Sequence, residues 1–191
     1  MTKVDLYLCD IRDVSLEELS SLVNTSTFDN VKIESARKEK LASKYLKDKY
    51  IKHYSIDKNG KPVSDDIYFN VSHSHEIVAI AISQNRPIGL DIETNRKLDE
   101  KLVRYIAREE ETKFIKDDLS FMQVWTNKES LLKCVGTGLK DKLKDVPALP
   151  LNGIRQYKNQ TYFTKSIIRD GLVISITLEG NQDFEINIIN I

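Results

Sequence analysis

The sequence predicts an α+β chain of two similar halves, each a helix against a small, mainly antiparallel sheet. Three observations point there. Val4 to Cys9 alternates apolar and polar residues, the period of a half-buried strand. Ile77 to Ile82 is almost continuously apolar, the pattern of a strand covered on both faces. Two stretches with helical apolar spacing, about residues 32–54 and 121–135, alternate with such strands. The division is placed so that residues 1–95 form the N-terminal half and 96–191 the C-terminal half, packed closely.

In order along the chain, Ser15-Leu-Glu-Glu18 reads as a capping box opening a short helix. The helix from about Lys32 to Tyr54 buries Leu41, Tyr45, Ile51 and Tyr54. It carries Arg37, Lys38, Lys40, Lys44, Lys47, Lys49 and Lys52 against Glu39 and Asp48, a solvated face or a patch for phosphate and acidic partners. Asp57 to Gly60 is a turn. Tyr68 to Val71 is a short strand and Ser72-His-Ser-His75 a polar turn. Asn85-Arg-Pro87 leads into an apolar strand at Ile88–Ile92. Leu102 to Ile115 and Phe121 to Val135 read as helices, with Gly136 and Gly138 as stop signals. Strands follow near 153–157, 162–168 and 172–178, the last two joined by a tight Arg169-Asp-Gly171 turn. Phe184 to Ile189 is a final strand.

A chain of 191 residues can bury a real core. Its net charge of +0 sets up no global field toward nucleic acid or a membrane surface. No apolar run is long enough to span a bilayer, and Lys3, Asp5 and Asp10 interrupt any signal-like start. Cys9 and Cys134 read as free thiols of a reducing compartment. A cytoplasmic monomer is the expectation.

The chemistry concentrates in two runs. In Pro87-Ile-Gly-Leu-Asp-Ile-Glu93, Asp91 and Glu93 sit at i and i+2 of a strand and share a face. Gly89 allows another backbone to come close. In Trp125-Thr-Asn-Lys-Glu-Ser-Leu-Leu-Lys133, Trp125, Glu129 and Lys133 follow at i, i+4 and i+8 on one helical face. The bland reading pairs Glu129 with Lys133 and puts Trp125 in the core. The chemical reading is three carboxylates and a lysine around one divalent cation and an anionic phosphate, since magnesium takes one or two carboxylates and fills its shell with waters and phosphate oxygens. Asn70-Val-Ser-His-Ser74 holds one of the three histidines. Zinc is excluded for want of further His or spaced Cys ligands, whereas Ser and His in a turn can donate to a phosphate.

Gly60-Lys-Pro62, Phe69-Asn-Val-Ser-His-Ser74, Ile88-Gly-Leu-Asp-Ile-Glu93 and Trp125-Thr-Asn-Lys-Glu-Ser-Leu-Leu-Lys-Cys-Val-Gly-Thr-Gly-Leu139 together resemble the 4'-phosphopantetheinyl transferase superfamily, specifically its surfactin-type class. Order and rough spacing agree over about residues 60–139. The resemblance implies a pseudo-dimer with one coenzyme A site at the junction of its halves. It implies transfer of the 4'-phosphopantetheine arm of coenzyme A to a serine of an apo acyl or peptidyl carrier protein, with release of 3',5'-adenosine bisphosphate. Asp91, Glu93 and Glu129 match the magnesium ligands. Lys133 matches the lysine that reaches the pyrophosphate, so Glu129 and Lys133 carry the chemistry. Ser72 and His73 match groups near the 3'-phosphate, and Lys61 and Pro62 the lip of the adenine pocket. Ala42-Ser43-Lys44 matches Ala-x-Arg, placing Lys44 at the 3'-phosphate, with Lys32 at a further phosphate. Lys stands where Arg is usual and is a point charge rather than a fork. Glu110 matches a further acid, with Glu109 and Glu111 as alternative registers. The serine's proton goes to Glu129 or to a water held by the metal. Carriers are acidic, so weak salt-sensitive docking is expected beside the helix bearing Lys128, with Phe114, Phe121 and Met122 offering contact or lying in the core.

Two other classes compete. Asp91-Ile-Glu93-Thr94 also fits the first motif of DEDD-type 3'–5' exonucleases, but no His follows His75 and no Tyr-x3-Asp follows Glu93. A non-catalytic carrier- or coenzyme A-binding module is disfavoured because all three acids and Lys133 are retained.

Overall fold

The computed structural model describes residues 1–23, 28–58, 60–94, 96–137 and 141–191. It is a mixed α/β fold of small, mainly antiparallel sheets with several helices, as the sequence patterning implies.

Strand β1 (Thr2–Asp10) pairs antiparallel with β5 (Ile77–Ser83), which pairs with β4 (Tyr68–Ser74). On its other side β1 pairs in parallel with β10 (Phe184–Asn190). The second sheet has the order β6 (Ile88–Glu93), β9 (Leu172–Glu179), β8 (Gln160–Arg169), β7 (Gly153–Tyr157), all antiparallel. A two-stranded ribbon joins β2 (Ser55–Ile56) to β3 (Pro62–Val63). Sheet membership therefore crosses the 95/96 line: β6 sits with the late strands, and β10 sits beside the first.

The period-2 alternation sorts each strand's residues between two cores. Val4, Leu6, Leu8, Ala79 and Ala81 of the first sheet meet Ile88, Leu90, Ile92, Leu172, Ile174, Ile176 and Leu178 of the second, so the sheets pack face to face. The outer face of the first sheet, through Val78, Ile80 and Ile82, is covered by α1 (Leu16–Leu22) and α2 (Glu34–Tyr50), with Leu19, Leu41 and Leu46. Helix α5 (Asp118–Val135) lies on the second sheet. Thr126, Asn127 and Ser130 bond there to Ser175 and Thr177 of β9, so this contact is polar as well as apolar.

The Ser15 capping box forms as the sequence predicts: the Glu18 N–H donates to Ser15 Oγ, and the Ser15 N–H donates to the Glu18 carboxylate. Four expectations need correction. First, the turn expected over Ser72 to His75 starts only at His75. β4 continues to Ser74, and the reversal falls on His75 and Glu76, whose φ of 46° and 61° form a tight hairpin turn. Second, residues 102–115 are two helices, α3 (Glu100–Ile106) and α4 (Glu109–Phe114). The break comes where the Arg108 N–H donates to Glu111 Oε2 instead of to a helical carbonyl. Third, α2 stops at Tyr50 and starts at Glu34, leaving Lys32 exposed ahead of it. Fourth, Lys128 is not on a partner-facing surface. It is fully buried, ion-paired to Glu111 at 2.7 Å, and donates to the carbonyls of Leu143 and Val146. Phe121 and Met122 are core residues. Gly136 ends α5 with φ 80°, the left-handed cap that suits glycine, and Gly138 lies outside the described residues.

Candidate active site

The site forms where β6 meets α5. Gly89 makes this possible. A Cβ built there would lie 1.9 Å from Ser130 O and 2.4 Å from Cys134 N, so only glycine lets the helix backbone lie directly on the strand. The face of β6 that carries Gly89 also carries Asp91 and Glu93, both buried. The face of α5 carrying Trp125, Glu129 and Lys133 is therefore laid along the acids.

Lys133 Nζ donates to Asp91 Oδ1 at 2.7 Å and to Ser72 Oγ at 3.0 Å. The simple i,i+4 pair with Glu129 is not what forms. Glu93 Oε2 accepts from Arg96 Nε at 2.5 Å, and the Arg96 guanidinium stacks over Trp125, 4.4 Å from the ring centroid. Arg96 is a site cation that the motifs did not single out; its only sequence signal is a basic residue three positions after the acid.

Burial pushes the Asp91 carboxyl above its usual range, against the pull of Lys133 and Ser72. Glu129 is raised chiefly by burial and then by the like charge of Asp91. Glu129 Oε1 is buried with no hydrogen-bond partner among the described residues. An orphaned carboxylate oxygen beside a second buried acid is an environment that a cation relieves, and three oxygen-donor acids suit a hard divalent ion. Among the described residues no three His, Cys, Asp or Glu side chains stand close enough to form a ready-made metal cage. Lys133 and Arg96 instead balance Asp91 and Glu93.

The other predicted residues spread around this centre. Strand alternation separates Ser72 from His73. Ser72 is buried and donates to Asp91 Oδ1 at 3.0 Å. His73 is half exposed on the opposite face, with Nδ1 2.9 Å from Glu39 Oε2 on α2. Lys61 Nζ donates to the Lys133 carbonyl at 2.7 Å, and burial lowers its pKa. Lys61 and Pro62 line a cavity of about 150 Å³ with Tyr68, Pro87 and Ile88. Lys44 is tied to Asp48 at 2.7 Å. Glu110 is exposed, and it is Glu111 that turns inward, to Lys128. Cys134 is buried with its thiol pushed up to about 12, which makes it inert. No described helix is long and apolar enough to cross a membrane.

An acid pair on the edge strand β6 is thus answered by Glu129 and Lys133 on the helix that covers it. The sequence model of the 4'-phosphopantetheinyl transferase superfamily matches residues 87–179, which include β6 and α5. That match spans just under half of the 191 residues and marks a similarity to that superfamily. It is 38% identical over 109 residues to the 4'-phosphopantetheinyl transferase gsp of Aneurinibacillus migulanus, covering 53% of this chain and 42% of that protein. It is 31% identical over 145 residues to the 4'-phosphopantetheinyl transferase HetI of Nostoc sp., covering 66% and 60%. It is 29% identical over 104 residues to the 4'-phosphopantetheinyl transferase psf-1 of Bacillus pumilus, covering 50% and 44%. The chain thus spans about half the length of the relatives it matches.

Proposed function

We propose that this protein is a 4'-phosphopantetheinyl transferase of the surfactin-type, pseudo-dimeric class, moving the 4'-phosphopantetheine arm of coenzyme A to a serine of an apo acyl or peptidyl carrier protein. The observation that carries the reading is the meeting of Asp91 and Glu93 on β6 with Glu129 and Lys133 on α5, inside the segment matched by the superfamily. Residues 1–95 and 96–191 are the two halves in this reading, with β6 and β10 exchanged between their sheets.

In the reaction the carrier serine oxygen attacks the β-phosphorus of coenzyme A. The bond from that phosphorus to the bridging oxygen breaks, and 3',5'-adenosine bisphosphate leaves with the electron pair. Asp91, Glu93 and Glu129 would hold magnesium, whose charge, when bound, neutralises negative charge gathering on the pyrophosphate. Lys133 exchanges its contact with Asp91 for a pyrophosphate oxygen. Glu129 takes the serine proton in this reading. Lys32, Lys44, Ser72 and His73 serve the phosphates, and Lys61 and Pro62 border the adenine.

The test is mass spectrometry of apo carrier proteins incubated with the protein, coenzyme A and magnesium. The expected result is a mass gain of one phosphopantetheine arm, lost on chelation. No gain on any carrier of a panel spanning fatty acid, polyketide and peptide pathways would overturn the proposal.

A further inference from the structure

The β4 and β6 strands are edges of different sheets and do not pair through their backbones. Every second N–H of an edge strand points outward and needs an acceptor when buried. Here β4 supplies acceptors from side chains at its own alternate positions. The Leu90 N–H donates to Asn70 Oδ1 at 2.9 Å, the Ile92 N–H to Ser72 Oγ at 3.3 Å, and the Thr94 N–H to Ser74 Oγ at 3.2 Å. Asn70, Ser72 and Ser74 are all buried.

The same hydroxyls turn their protons to the acids. Ser72 Oγ donates to Asp91 Oδ1 at 3.0 Å and Ser74 Oγ to Glu93 Oε1 at 2.7 Å. Ser74 Oγ also lies 3.2 Å from His75 Nδ1. A hydroxyl has one proton to give. With that proton on the Glu93 carboxylate, His75 Nδ1 is the donor to Ser74. Glu93 is thereby held on both oxygens, by Ser74 on Oε1 and by Arg96 on Oε2.

We propose that Ser74 is a positioning residue for metal binding: it locks the rotamer of Glu93 and ties that carboxylate to the seam between the two sheets. The inference rests on Glu93 being a magnesium ligand. Hydrogen-bonded groups that orient a ligating carboxylate set metal affinity, and Ser74 contacts Glu93 without being an acid itself.

The experiment measures Mn2+ binding in the presence of coenzyme A by the paramagnetic resonance signal of the free ion, for wild type, Ser74→Ala, Ser74→Thr and Glu93→Ala. Transfer rates against magnesium concentration are measured alongside. Ser74→Ala should weaken Mn2+ binding and raise the apparent magnesium constant by about 10–100-fold, with a smaller change in rate at saturating magnesium. Ser74→Thr, which keeps the hydroxyl, should recover most of the affinity. If Ser74→Ala does not fold, Ser74→Cys replaces it, a weak donor of similar size that should also bind Mn2+ more weakly than Ser74→Thr. Wild-type Mn2+ affinity in Ser74→Ala or Ser74→Cys, with only a lowered melting temperature, overturns the proposal and makes the seam purely structural. Wild-type Mn2+ affinity in Glu93→Ala as well sinks the metal reading of that acid and this inference with it.

Discussion

Lys133 Nζ lies 2.7 Å from Asp91 Oδ1, so an ion pair ties the last turn of α5 to the middle of β6. Glu129, one turn earlier, has a buried oxygen without a partner. The helix thus presents to the same strand one charged group that is hydrogen-bonded and one left partly unsatisfied, with a buried oxygen that accepts no hydrogen bond. Removing the unsatisfied one should separate stability from activity. Glu129→Leu should keep a stability close to wild type, since it removes a carboxylate oxygen buried without a hydrogen-bond partner. Its transfer rate should nevertheless fall at least ~100-fold, about 2.7 kcal/mol of barrier. Melting temperature and single-turnover rate, measured on one preparation, check this. A Glu129→Leu enzyme with near-wild-type transfer excludes Glu129 from the chemistry.

Gly89→Ala should damage both properties at once. The added methyl would sit 1.9 Å from Ser130 O, a backbone atom that moves only if α5 moves. Overpacking of this kind costs roughly 1–3 kcal/mol, and the helix shift also moves Glu129 and Lys133 off the acids. Urea unfolding and transfer kinetics should show a coupled loss. A stable, fully active Gly89→Ala protein would show that the helix does not need to lie on the strand.

The Glu111–Lys128 pair is buried completely on both sides. Burial lowers the Lys128 pKa, with Glu111 opposing the shift. Glu111→Ala should therefore destabilise by about 3–5 kcal/mol, because it leaves the buried Lys128 with two carbonyl acceptors but no counter-charge. The double variant Glu111→Leu, Lys128→Met should lose less than either single change. A double variant whose losses simply add would show that the two side chains are energetically independent.

Asp91 and Glu129 also predict a pH dependence of stability without metal. Their carboxyls are raised by burial, so the folded protein keeps these protons to higher pH than the unfolded chain, whose carboxyls titrate near ~4. The unfolded state binds fewer protons in that window. This part of the stability is full below about pH 4 and is lost as pH rises through the folded values. Chemical denaturation across the acid-to-neutral range should show that decline in wild type and a flatter profile in Asp91→Asn, Glu129→Gln. Parallel profiles would show that neither carboxyl titrates abnormally.

His73, half exposed and paired with Glu39, is free to reorganise around a ligand. A lost charge-assisted hydrogen bond costs roughly 1.5–3 kcal/mol, or about 10- to 150-fold in affinity. His73→Ala should lose that factor for coenzyme A and little for dephospho-coenzyme A, by calorimetry. Equal losses for both ligands rule out a role in reading the 3'-phosphate.

What the sequence by itself determined is what short-range periodicity encodes. The i,i+2 spacing of Asp91 and Glu93 and the i,i+4,i+8 spacing of Trp125, Glu129 and Lys133 each specify a shared face, and Gly89 announces a close backbone approach. The Ser15 capping box and the Arg169–Gly171 hairpin turn are equally local, and they formed where their residues stand. Only the tertiary structure decided which face meets which partner. Ser72-His-Ser-His75 looks like a turn from its polarity. It is mostly strand because its backbone pairs with β5, while Ser72 and Ser74 find side-chain partners on β6, a strand of the other sheet. The sequence suggests Lys128 beside a partner surface and Glu111 as an alternative site acid, and both are core, because each neutralises the other out of water. Lys133 could pair with Glu129 along its own helix and instead reaches Asp91 across to β6. Burial and long-range charge pairing depend on which elements pack together, and that information is not present in any single stretch of chain.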